Sequence, residues 1–323
     1  MTPLRRTGIY TTKLSKRRRQ AGRQVNGILV LDKGPGVSSN AALQEVKRIY
    51  NASKAGHTGS LDPLATGVLP LCLGEATKLS QFLLNADKTY RVAIRLGIRT
   101  DTGDAEGAVI QRVDDPVISD AELGAALTSL TGSIQQVPPM YSALKHQGVP
   151  LYKLARQGVD VEREARPVVV YRLELLERDG DTLTLEIDCS KGTYVRTLAD
   201  DLGNLLGCGA HVTALRRTRA GVFTEQDAVT VERLRELRDA TAGADEGFAA
   251  IDGLLVGMDQ AVSNLPEVVL PEVTARCMRQ GQPVLVRHLP EDGLVRLYEG
   301  DQFIGIGSIL DDGRVAPRRM IVD

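Results

Sequence analysis

The amino-acid sequence predicts an α+β protein with a mixed sheet, flanking helices and a small β-rich domain at the C-terminal end. Strand and helix patterns alternate irregularly up to about residue 256, which disfavours a regular βαβ array. A segment at about residues 138–160 fits neither of its neighbours and indicates an insertion. After Pro266 only short strand patterns follow. We therefore expect a main domain over residues 25–256 and a separate small domain over residues 262–323.

The first predicted elements lead into a long irregular segment. Residues 27–33 form a short apolar run that enters a Gly-Pro-Gly turn, which is typical of a buried strand. Ser38 or Ser39 is expected to cap a helix that ends near Tyr50, because apolar residues then recur at helical spacing. Residues 51–74 are rich in Gly, Pro, Ser and Thr and are predicted to be irregular. Such a segment inside a compact domain usually carries function.

The later elements follow from the same periodicities. Residues 90–96 alternate apolar and polar side chains, which predicts a strand with one solvent-exposed face. Ser119 and Glu122 form a capping box, which predicts the start of a helix. A Gly/Ala/Asp-rich stretch occupies residues 240–247. Further strands are expected at residues 168–177, 183–189 and 212–223, and further helices at residues 78–85, 194–206 and 231–237. In the small domain we expect only strands, at residues 283–287, 294–299, 303–309 and 314–322.

Composition restricts the class of protein. The chain has 323 residues, of which 42% are hydrophobic and 25% charged, as is usual for a globular protein. No apolar run reaches the roughly 18 residues of a membrane-spanning helix, and no apolar stretch follows the basic N-terminus as a signal peptide requires. The four cysteines are scattered, without a C-x-x-C pair or a histidine at zinc-ligand spacing. We expect a reduced, cytoplasmic protein without a bound metal.

Charge is distributed unevenly along the chain. The net charge of −1 argues against a nucleic-acid partner, but residues 1–24 contain eight Lys and Arg and no acidic residue. Such a block cannot bury enough apolar surface to fold, so we expect a disordered basic arm. The arm would either neutralise phosphates of a nucleic acid or remain a solvated tail without a specific partner.

The segment that decides the functional prediction spans residues 55–70 and reads AGHTGSLDPLATGVLP. It is a glycine-hinged loop that presents one carboxylate, Asp62, followed by Pro63. Glycine lets a backbone approach a ligand closely and adopt conformations closed to other residues. A loop aspartate more often caps the next helix, and a phosphate cradle is disfavoured because the G-x-x-x-x-G-K-[ST] spacing is absent.

This loop resembles the catalytic loop of the tRNA pseudouridine synthase B family. The resemblance extends from Asn26 to the C-terminus, with one departure at residues 33–36, where KGPG replaces the more usual Lys-Pro-x-Gly and affects the local turn rather than the chemistry. Further matching blocks are NGILVLDK (26–33), RTDTGD (99–104), PMYSALK (139–145), CSKGTYVR (189–196), GCGAH (207–211) and GRVAPRR (313–319).

The resemblance implies a fold, an activity and a partner. The expected structure is the pseudouridine-synthase fold, with a thumb insertion at about residues 138–160 and a PUA-like RNA-binding domain at residues 262–323. The expected activity is conversion of the uridine at position 55, in the T loop of tRNA, to pseudouridine after base flipping. No cofactor, metal, membrane or protein partner is implied. We expect a monomer that recognises the T-arm of tRNA.

The resemblance also implies the catalytic residues. Asp62 would be the nucleophile, and Arg196 would be its ion-pair partner and keep it ionised in a desolvated pocket. Tyr90 would stack on the target uracil and could accept the C5 proton. Without the resemblance, Arg196 would be assigned to a surface salt bridge and Tyr90 to the core.

Four more residues are expected to bind the substrate. His57 would contact the T loop during flipping, and Tyr194 and Leu215 would wall the uracil pocket. Lys33, in the first matching block, is expected to contribute as well. Without the resemblance, His57 would be interpreted as a solvent-exposed loop histidine without a role. Tyr194 and Leu215 would be interpreted as ordinary core residues.

Two alternative functions remain. The chain could be a non-catalytic tRNA-binding or tRNA-folding chaperone of the same fold, or an RNA-guided pseudouridine synthase within a ribonucleoprotein. Activity of the isolated protein on naked tRNA separates the expected function from both.

Overall fold

The computed structural model describes residues 22–240, 244–287, 289–290 and 292–322. The predicted basic arm at residues 1–24 therefore lies mostly outside the described residues. Its end does not, because Arg23 bridges to Ala52 and its guanidinium lies 2.5 Å from the carboxylate of Asp252. The Arg23 guanidinium also lies 3.9 Å from the centroid of the Phe248 ring. Arg23, predicted as part of the arm, thus packs against the main domain.

The strands of the main domain range from two residues in β8 to fourteen in β10, and most have at least one buried face. In chain order they are β1 (Gly27–Lys33), β2 (Ala55–His57), β3 (Thr66–Leu73), β4 (Lys88–Leu96), β5 (Ile98–Thr100), β6 (Val109–Arg112), β7 (Gly132–Gln136), β8 (Lys145–His146), β9 (Val149–Pro150), β10 (Arg166–Asp179), β11 (Thr182–Cys189), β12 (Ala210–Ala220) and β13 (Phe223–Thr224).

Within the described residues, nine of these strands form one sheet. Its order is β1-β3-β12-β4-β11-β10-β7, with β2 paired to β3 and β13 paired to β12. β12 runs parallel to β3, where Arg216 and Arg217 lie beside Thr66 and Gly67, and the other pairs of this sheet are antiparallel. The predicted mixed sheet is therefore confirmed. β12 and β4 lie at its centre, so side chains on these two strands are well placed to build a site.

Helices cover the sheet. They are α1 (Ser39–Ile49), α2 (Ser80–Asn85), α3 (Asp120–Ser129), α4 (Leu151–Ala155), α5 (Val195–Leu205), α6 (Val231–Asp239) and α7 (Ala244–Asp252), together with short 3-10 turns at Gly74–Lys78, Glu225–Asp227 and Met258–Val262. Ser38 caps α1 and Ser119 opens α3 with a capping box, both as predicted. Among the described residues, no helix is long and apolar enough to span a membrane.

The buried face of β4 shows how helix and sheet form the main core. Val92 and Ile94 alternate with exposed or half-exposed residues, and they pack in one cluster with Leu198 and Leu202 of α5. These two leucines lie four positions apart and so share one helix face. Burial of this face fixes α5, and with it the side chains at its N-terminal end, over the middle of the sheet.

The expected insertion at residues 138–160 contains a hairpin and a short helix. β8 and β9 pair antiparallel over two residues each, and α4 follows directly. Leu151 is buried, whereas the hairpin strands are largely exposed. The segment therefore has a two-stranded sheet of its own, separate from the nine-stranded sheet.

The C-terminal residues form a second sheet. Its elements are β14 (Glu267–Leu270), α8 (Glu272–Arg279), β15 (Val284–Leu285), β16 (Leu294–Glu299), β17 (Gln302–Ile309) and β18 (Arg314–Met320), with strand order β14-β16-β17-β18-β15. Ile306 of β17 packs in one cluster with Ile28 and Val68 of the main sheet. The Lys78 ammonium also donates to the carbonyl of Met320 at 2.9 Å. The β-rich C-terminal part is thus confirmed and rests against β1 and β3.

Two local predictions were wrong. Residues 51–74 are not irregular throughout, because β2 and most of β3 lie within them and only residues 58–65 connect the two strands. The small domain contains a helix, α8, because Ala275 and Met278 lie three residues apart and bury one of its faces.

Candidate active site

Asp62 lies in the loop between β2 and β3. The amide of Ala65 donates to the carbonyl of Asp62 at 3.1 Å, which closes a turn around Pro63. The Asp62 carboxylate accepts from the guanidinium Nε of Arg196 at 2.9 Å. The Asp62 side chain is 40% exposed and that of Arg196 only 7%. The structure thus places the two residues in direct contact, with the cation enclosed behind a carboxylate that is open to solvent.

Arg196 is held by three more groups. It is the second residue of α5, and its Nη1 donates to the carbonyl of Thr102 at 2.8 Å, while its Nη2 donates to the carbonyl of Tyr141 at 2.7 Å. Nη1 also lies 3.6 Å from the buried carboxylate of Asp104. The RTDTGD block therefore supports the arginine, and the start of the insertion is tied to it through Tyr141. Sequence reasoning did not predict a role for Asp104.

Electrostatics at Asp62 depend on burial and on neighbouring charges. Burial raises the pKa of Asp62 above its ordinary value, the Arg196 guanidinium opposes this shift, and the negative charge of Asp104 adds to it. The Lys33 ammonium also acts to lower the pKa of Asp62. The net direction is upward, so the two cations limit a shift that would otherwise favour the neutral acid.

Ser39 fixes the loop just before Asp62. Its hydroxyl donates to the carbonyl of Leu61 at 3.0 Å and accepts from the amide of the same residue at 2.7 Å. Ser39 is the first residue of α1 and is buried. Because both backbone groups of Leu61 bind one side chain, the direction of the next residue, Asp62, is closely defined.

Lys33, expected in substrate binding, does not face the open side of the site. It is 1% exposed, and its ammonium donates to the carbonyls of Gly34 at 2.9 Å, Val37 at 2.7 Å and Pro63 at 3.3 Å. Burial lowers the pKa of Lys33 to about 8, and the nearby Asp62 carboxylate opposes this shift. In this structure Lys33 holds the backbone on both sides of the site.

Two tyrosines lie near the carboxylate. Tyr90 is on the buried face of β4 and is 9% exposed. Tyr194 directly precedes α5, and its backbone carbonyl and amide are both bound by the side-chain amide of Gln136, at 3.0 and 2.7 Å. Burial raises the pKa of both phenols, and the Asp62 charge acts in the same direction. Both hydroxyls therefore remain protonated near neutral pH.

His57 lies on β2 and Leu215 on β12, and both of these strands pair with β3. His57 ends β2, and in the described part of the chain its buried Nδ1 has no hydrogen-bond partner. Burial lowers the pKa of His57, and the Arg217 cation adds to the effect, so the imidazole is neutral near pH 7. Leu215 is 8% exposed on β12 and lies opposite Val92.

A cleft of about 630 Å³ is lined by Leu215 and by Leu64 and Thr66, which follow Asp62 in the chain. Arg91 and Glu106 also line it. The other expected site residues are not part of its lining. Its size is in the range of small-molecule and nucleotide pockets.

Sequence reasoning also missed Arg217. This residue is only 1% exposed and donates from Nε to the carbonyl of Val68 at 2.6 Å. The backbone of Arg217 lies close to Gly67 on the neighbouring strand: Gly67 has φ +97°, and a Cβ there would lie 2.2 Å from the carbonyl oxygen of Arg217. The alternation along β12 was the available signal, since Leu215 and Arg217 share one face of the strand.

The arrangement combines one carboxylate, a fixed cation and two aromatic rings. A carboxylate of this kind can attack an electrophilic carbon or stabilise positive charge that develops on it. The rings can stack on a planar base. Among the described residues, no group of three or more His, Cys, Asp or Glu side chains is placed to bind a metal ion.

Three sequence-family models match the chain. Residues 47–195 match the TruB family pseudouridylate synthase N-terminal domain, residues 196–263 match the tRNA pseudouridylate synthase B C-terminal domain, and residues 266–321 match the C-terminal part of pseudouridine synthase II TruB. The chain belongs to the TruB family. The resemblance seen in the sequence is therefore confirmed, and the candidate site lies across the first two matched regions.

Curated TruB relatives share more than half of the sequence. The tRNA pseudouridine synthase B of Yersinia enterocolitica is 57% identical over 95% of this chain and 94% of the relative. The tRNA pseudouridine synthase B of Serratia proteamaculans is 56% identical over 95% of this chain and 98% of the relative. That of Tolumonas auensis is 54% identical over 95% and 96%.

Solved structures share the TruB-type fold. A crystal structure of a Cbf5–Nop10–Gar1 complex contains a chain that is 26% identical, with a TM-score of 0.69 over 93% of this chain and 84% of that chain. An H/ACA RNP bound to a substrate RNA containing 2′-deoxyuridine contains another, 23% identical, with a TM-score of 0.68 over 96% and 93%. The second likeness supports the fold alone. The predicted pseudouridine-synthase fold is confirmed.

Proposed function

We propose that this protein is a tRNA pseudouridine synthase that isomerises the uridine at position 55, in the T loop, to pseudouridine. The observation that carries the proposal is the Asp62 carboxylate, bound to the enclosed guanidinium of Arg196, in a chain of the TruB family. The curated relatives with 54 to 57% identity are named tRNA pseudouridine synthase B.

The reaction explains why the site is built around one carboxylate. The N1–C1′ bond breaks, the uracil turns, and C5 joins C1′; the proton on C5 is then lost and N1 gains a proton. There is no net redox change, so the proposal includes no cofactor. Asp62 would attack the sugar or the base as a nucleophile, or help to remove a ribose proton, and its charge would stabilise the positive charge that develops at C1′. Arg196 would keep Asp62 ionised while RNA covers the site.

The other residues would receive the flipped base. Tyr90 would stack on the uracil, and stacking on an aromatic ring contributes about 1–3 kcal/mol, which offsets much of the cost of unstacking. Tyr194 and Leu215 would form the walls of the pocket. His57, neutral near pH 7, would contact the T loop by hydrogen bonding or stacking rather than as a cation.

The two peripheral parts would hold the T-arm. The carbonyl of Tyr141, at the start of the insertion, accepts a hydrogen bond from Arg196. Closure of the insertion on RNA would therefore act directly on Arg196. The C-terminal sheet would act as a PUA-like RNA-binding domain, with boundaries near residues 262–323. We further propose that the protein acts as a monomer, and in the cytoplasm, where its tRNA substrate is.

The RNA-guided alternative rests on a more distant likeness. The solved chain with partner proteins is 26% identical to this one, whereas the curated relatives exceed 50% identity over nearly their full length. A non-catalytic chaperone does not need the paired Asp62 and Arg196. Both points favour direct catalysis on tRNA.

The decisive experiment incubates the purified protein with an unmodified tRNA transcript and maps pseudouridine. Wild-type protein should modify position 55 without any guide RNA. Asp62→Asn should abolish turnover but keep tRNA affinity within about tenfold, or 1.4 kcal/mol, because affinity comes from phosphates and stacking. Asp114→Asn, at an exposed aspartate (side chain 82% exposed), is the matched control and should behave as wild type. Turnover by Asp62→Asn near the wild-type rate would falsify the assignment of the nucleophile.

A further inference from the structure

Arg217 lies beneath the site and is not among the residues assigned above. It sits on β12 directly opposite Tyr90 of β4 in the strand register. Side chains of directly opposite residues project from the same face of a sheet, about 5 Å apart at Cβ. Arg217 is 1% exposed, so its whole side chain lies inside the protein beside Tyr90.

The Arg217 guanidinium connects both ends of the loop that carries Asp62. Its Nε donates to the carbonyl of Val68, after the loop, at 2.6 Å. Its Nη2 donates to the carbonyl of Gly59, before Asp62, at 3.3 Å. Gly59 has φ +118°, and a Cβ built there would lie 3.7 Å from Nη1 of Arg217, at ordinary van der Waals distance, so the backbone at Gly59 packs against the guanidinium.

The charge of the same guanidinium acts on the tyrosine and the histidine of the site. Arg217 lies opposite Tyr90 in the strand register, and its charge opposes the rise that burial causes in the pKa of the Tyr90 phenol. Its charge also helps to lower the pKa of His57. One buried cation thus acts on the ring proposed to stack on uracil and on the imidazole proposed to contact the T loop.

A cation in this position is costly for stability alone. Burying a charged group costs several kcal/mol, and apolar side chains of similar volume often pack as well or better. The side-chain hydrogen bonds of Arg217 in the described chain instead go to the Gly59 carbonyl before Asp62 and to the Val68 carbonyl of β3 after it, and Arg217 lies opposite Tyr90. The arrangement is better explained by the need to place these groups relative to one another.

We propose that Arg217 is a positioning residue that fixes the Tyr90 hydroxyl relative to the loop bearing Asp62, and so sets the separation between the uracil-stacking ring and the nucleophile. This rests on the proposed function. Arg217 touches neither the uracil nor C1′. It acts through Tyr90 and through the backbone at Gly59 and Val68.

The first test compares Arg217→Lys, which keeps the charge but not the forked donor geometry, with Arg219→Lys. Arg219 lies on the same strand and binds Thr89 and Asp188, away from the loop. In single-turnover assays on a T-arm hairpin, Arg217→Lys should lower the rate by about tenfold or more, with the RNA dissociation constant within about threefold. Arg219→Lys should stay within about twofold of wild type in both. Equal rates for Arg217→Lys and wild type would overturn the proposal.

The second test does not depend on activity. With ¹³Cζ-labelled tyrosine, the Tyr90 resonance is assigned by its loss in Tyr90→Phe. It should move in Arg217→Gln and in Arg217→Lys but not in Arg219→Lys, and the exposed Tyr171 should be unaffected in all. An unmoved Tyr90 resonance would overturn the proposal. Loss of cooperative unfolding in both Arg217 variants would also overturn it, since Arg217 would then serve the fold as a whole. Failure of wild-type protein to form pseudouridine would instead count against the proposed function.

Discussion

At the scale of single residues, the Asp62–Arg196 pair determines the pH range in which the proposed nucleophile is ionised. The pKa of Asp62 is raised by burial, and the guanidinium opposes this. A carboxylate that must be ionised loses activity as the pH falls through its pKa in the folded protein. The acid limb of the rate profile should therefore lie above the pKa of a free aspartate, about 3.8.

Arg196→Lys should move that acid limb to higher pH. Arg196 binds Asp62 and the carbonyls of Thr102 and Tyr141 through three separate nitrogens, which the single nitrogen of a lysine cannot replace. The lysine charge should therefore lower the pKa of Asp62 less than the guanidinium does, and the pKa should rise further. We expect an upward shift of about one pH unit in single-turnover rates, since an adjacent opposite charge changes a carboxyl pKa by about 1–3 units.

Arg99→Lys is the matched control, because Arg99 also binds a carboxylate through two nitrogens, at 2.5 and 2.8 Å from Asp200, outside the site. Its acid limb should coincide with that of wild type. An unshifted limb in Arg196→Lys would show that the arginine does not control the ionisation of Asp62.

At the scale of elements, periodicity predicted the strands and helices that have one buried and one solvent-exposed face. β4 and α5 were found from their spacing, and α1 and α3 from their caps. β3 was missed because nearly all its residues are buried, so it shows no alternation, and Gly67 and Pro70 within it are typical of loops. The strand is stabilised by backbone pairing with its neighbours β1 and β12, which its own sequence does not indicate.

Site residues were predicted only where they belong to a motif that resembles the family. The resemblance assigned the pair Asp62 and Arg196, which the structure places in contact. It did not assign Ser39, Asp104 or Arg217. Each of these acts by a hydrogen bond or charge to a segment distant in the chain, and no local pattern encodes such a partner.

Ser39→Ala should separate the positioning of the loop from the stability of α1. It leaves the amide and carbonyl of Leu61 without their hydroxyl partner, which costs about 1–3 kcal/mol for buried groups. The turn before Asp62 should loosen, and the single-turnover rate should fall roughly tenfold, since small misplacements of catalytic groups are costly. The RNA dissociation constant should change little.

Ser38→Ala provides the comparison on the same helix. Ser38 caps α1 by accepting from the amide of Ala41 and has no hydrogen bond to the Asp62 loop in the described chain. Its loss should cost about 1 kcal/mol of unfolding free energy, by denaturant titration, with an unchanged rate. Equal rate losses in both variants would mean that α1 stability, rather than the Leu61 contact, controls the loop.

At the scale of the whole molecule, the C-terminal sheet is attached to the strand that leaves the active site. Ile306 packs with Val68 of β3, and the short turn after β3 binds the chain end through Lys78 and Glu75. RNA bound on the C-terminal sheet would therefore be held at a defined distance from Asp62. The net charge of −1 means that phosphate binding must depend on local basic groups rather than on overall attraction.

The basic arm is the largest such group, and its removal gives the last prediction. Residues 1–21 contain seven Lys and Arg. If the arm neutralises phosphates, deleting residues 1–21 should weaken tRNA binding and make the plot of log K against log salt shallower, by about 0.7–0.9 for each phosphate that is no longer neutralised. Turnover at saturating tRNA should not change, because a phosphate contact of this kind would be equally strong in the ground state and in the transition state.

The point of truncation matters, because Arg23 pairs with Asp252 and stacks on Phe248. A deletion of residues 1–24 should lower the unfolding temperature as well, whereas deletion of residues 1–21 should not. Binding titrations at several salt concentrations, with thermal unfolding of both truncated proteins, distinguish the two effects. If the full-length protein and the 1–21 deletion give equal salt slopes, the arm is a solvated tail, and the basic groups that hold the T-arm must lie on the main domain and the insertion.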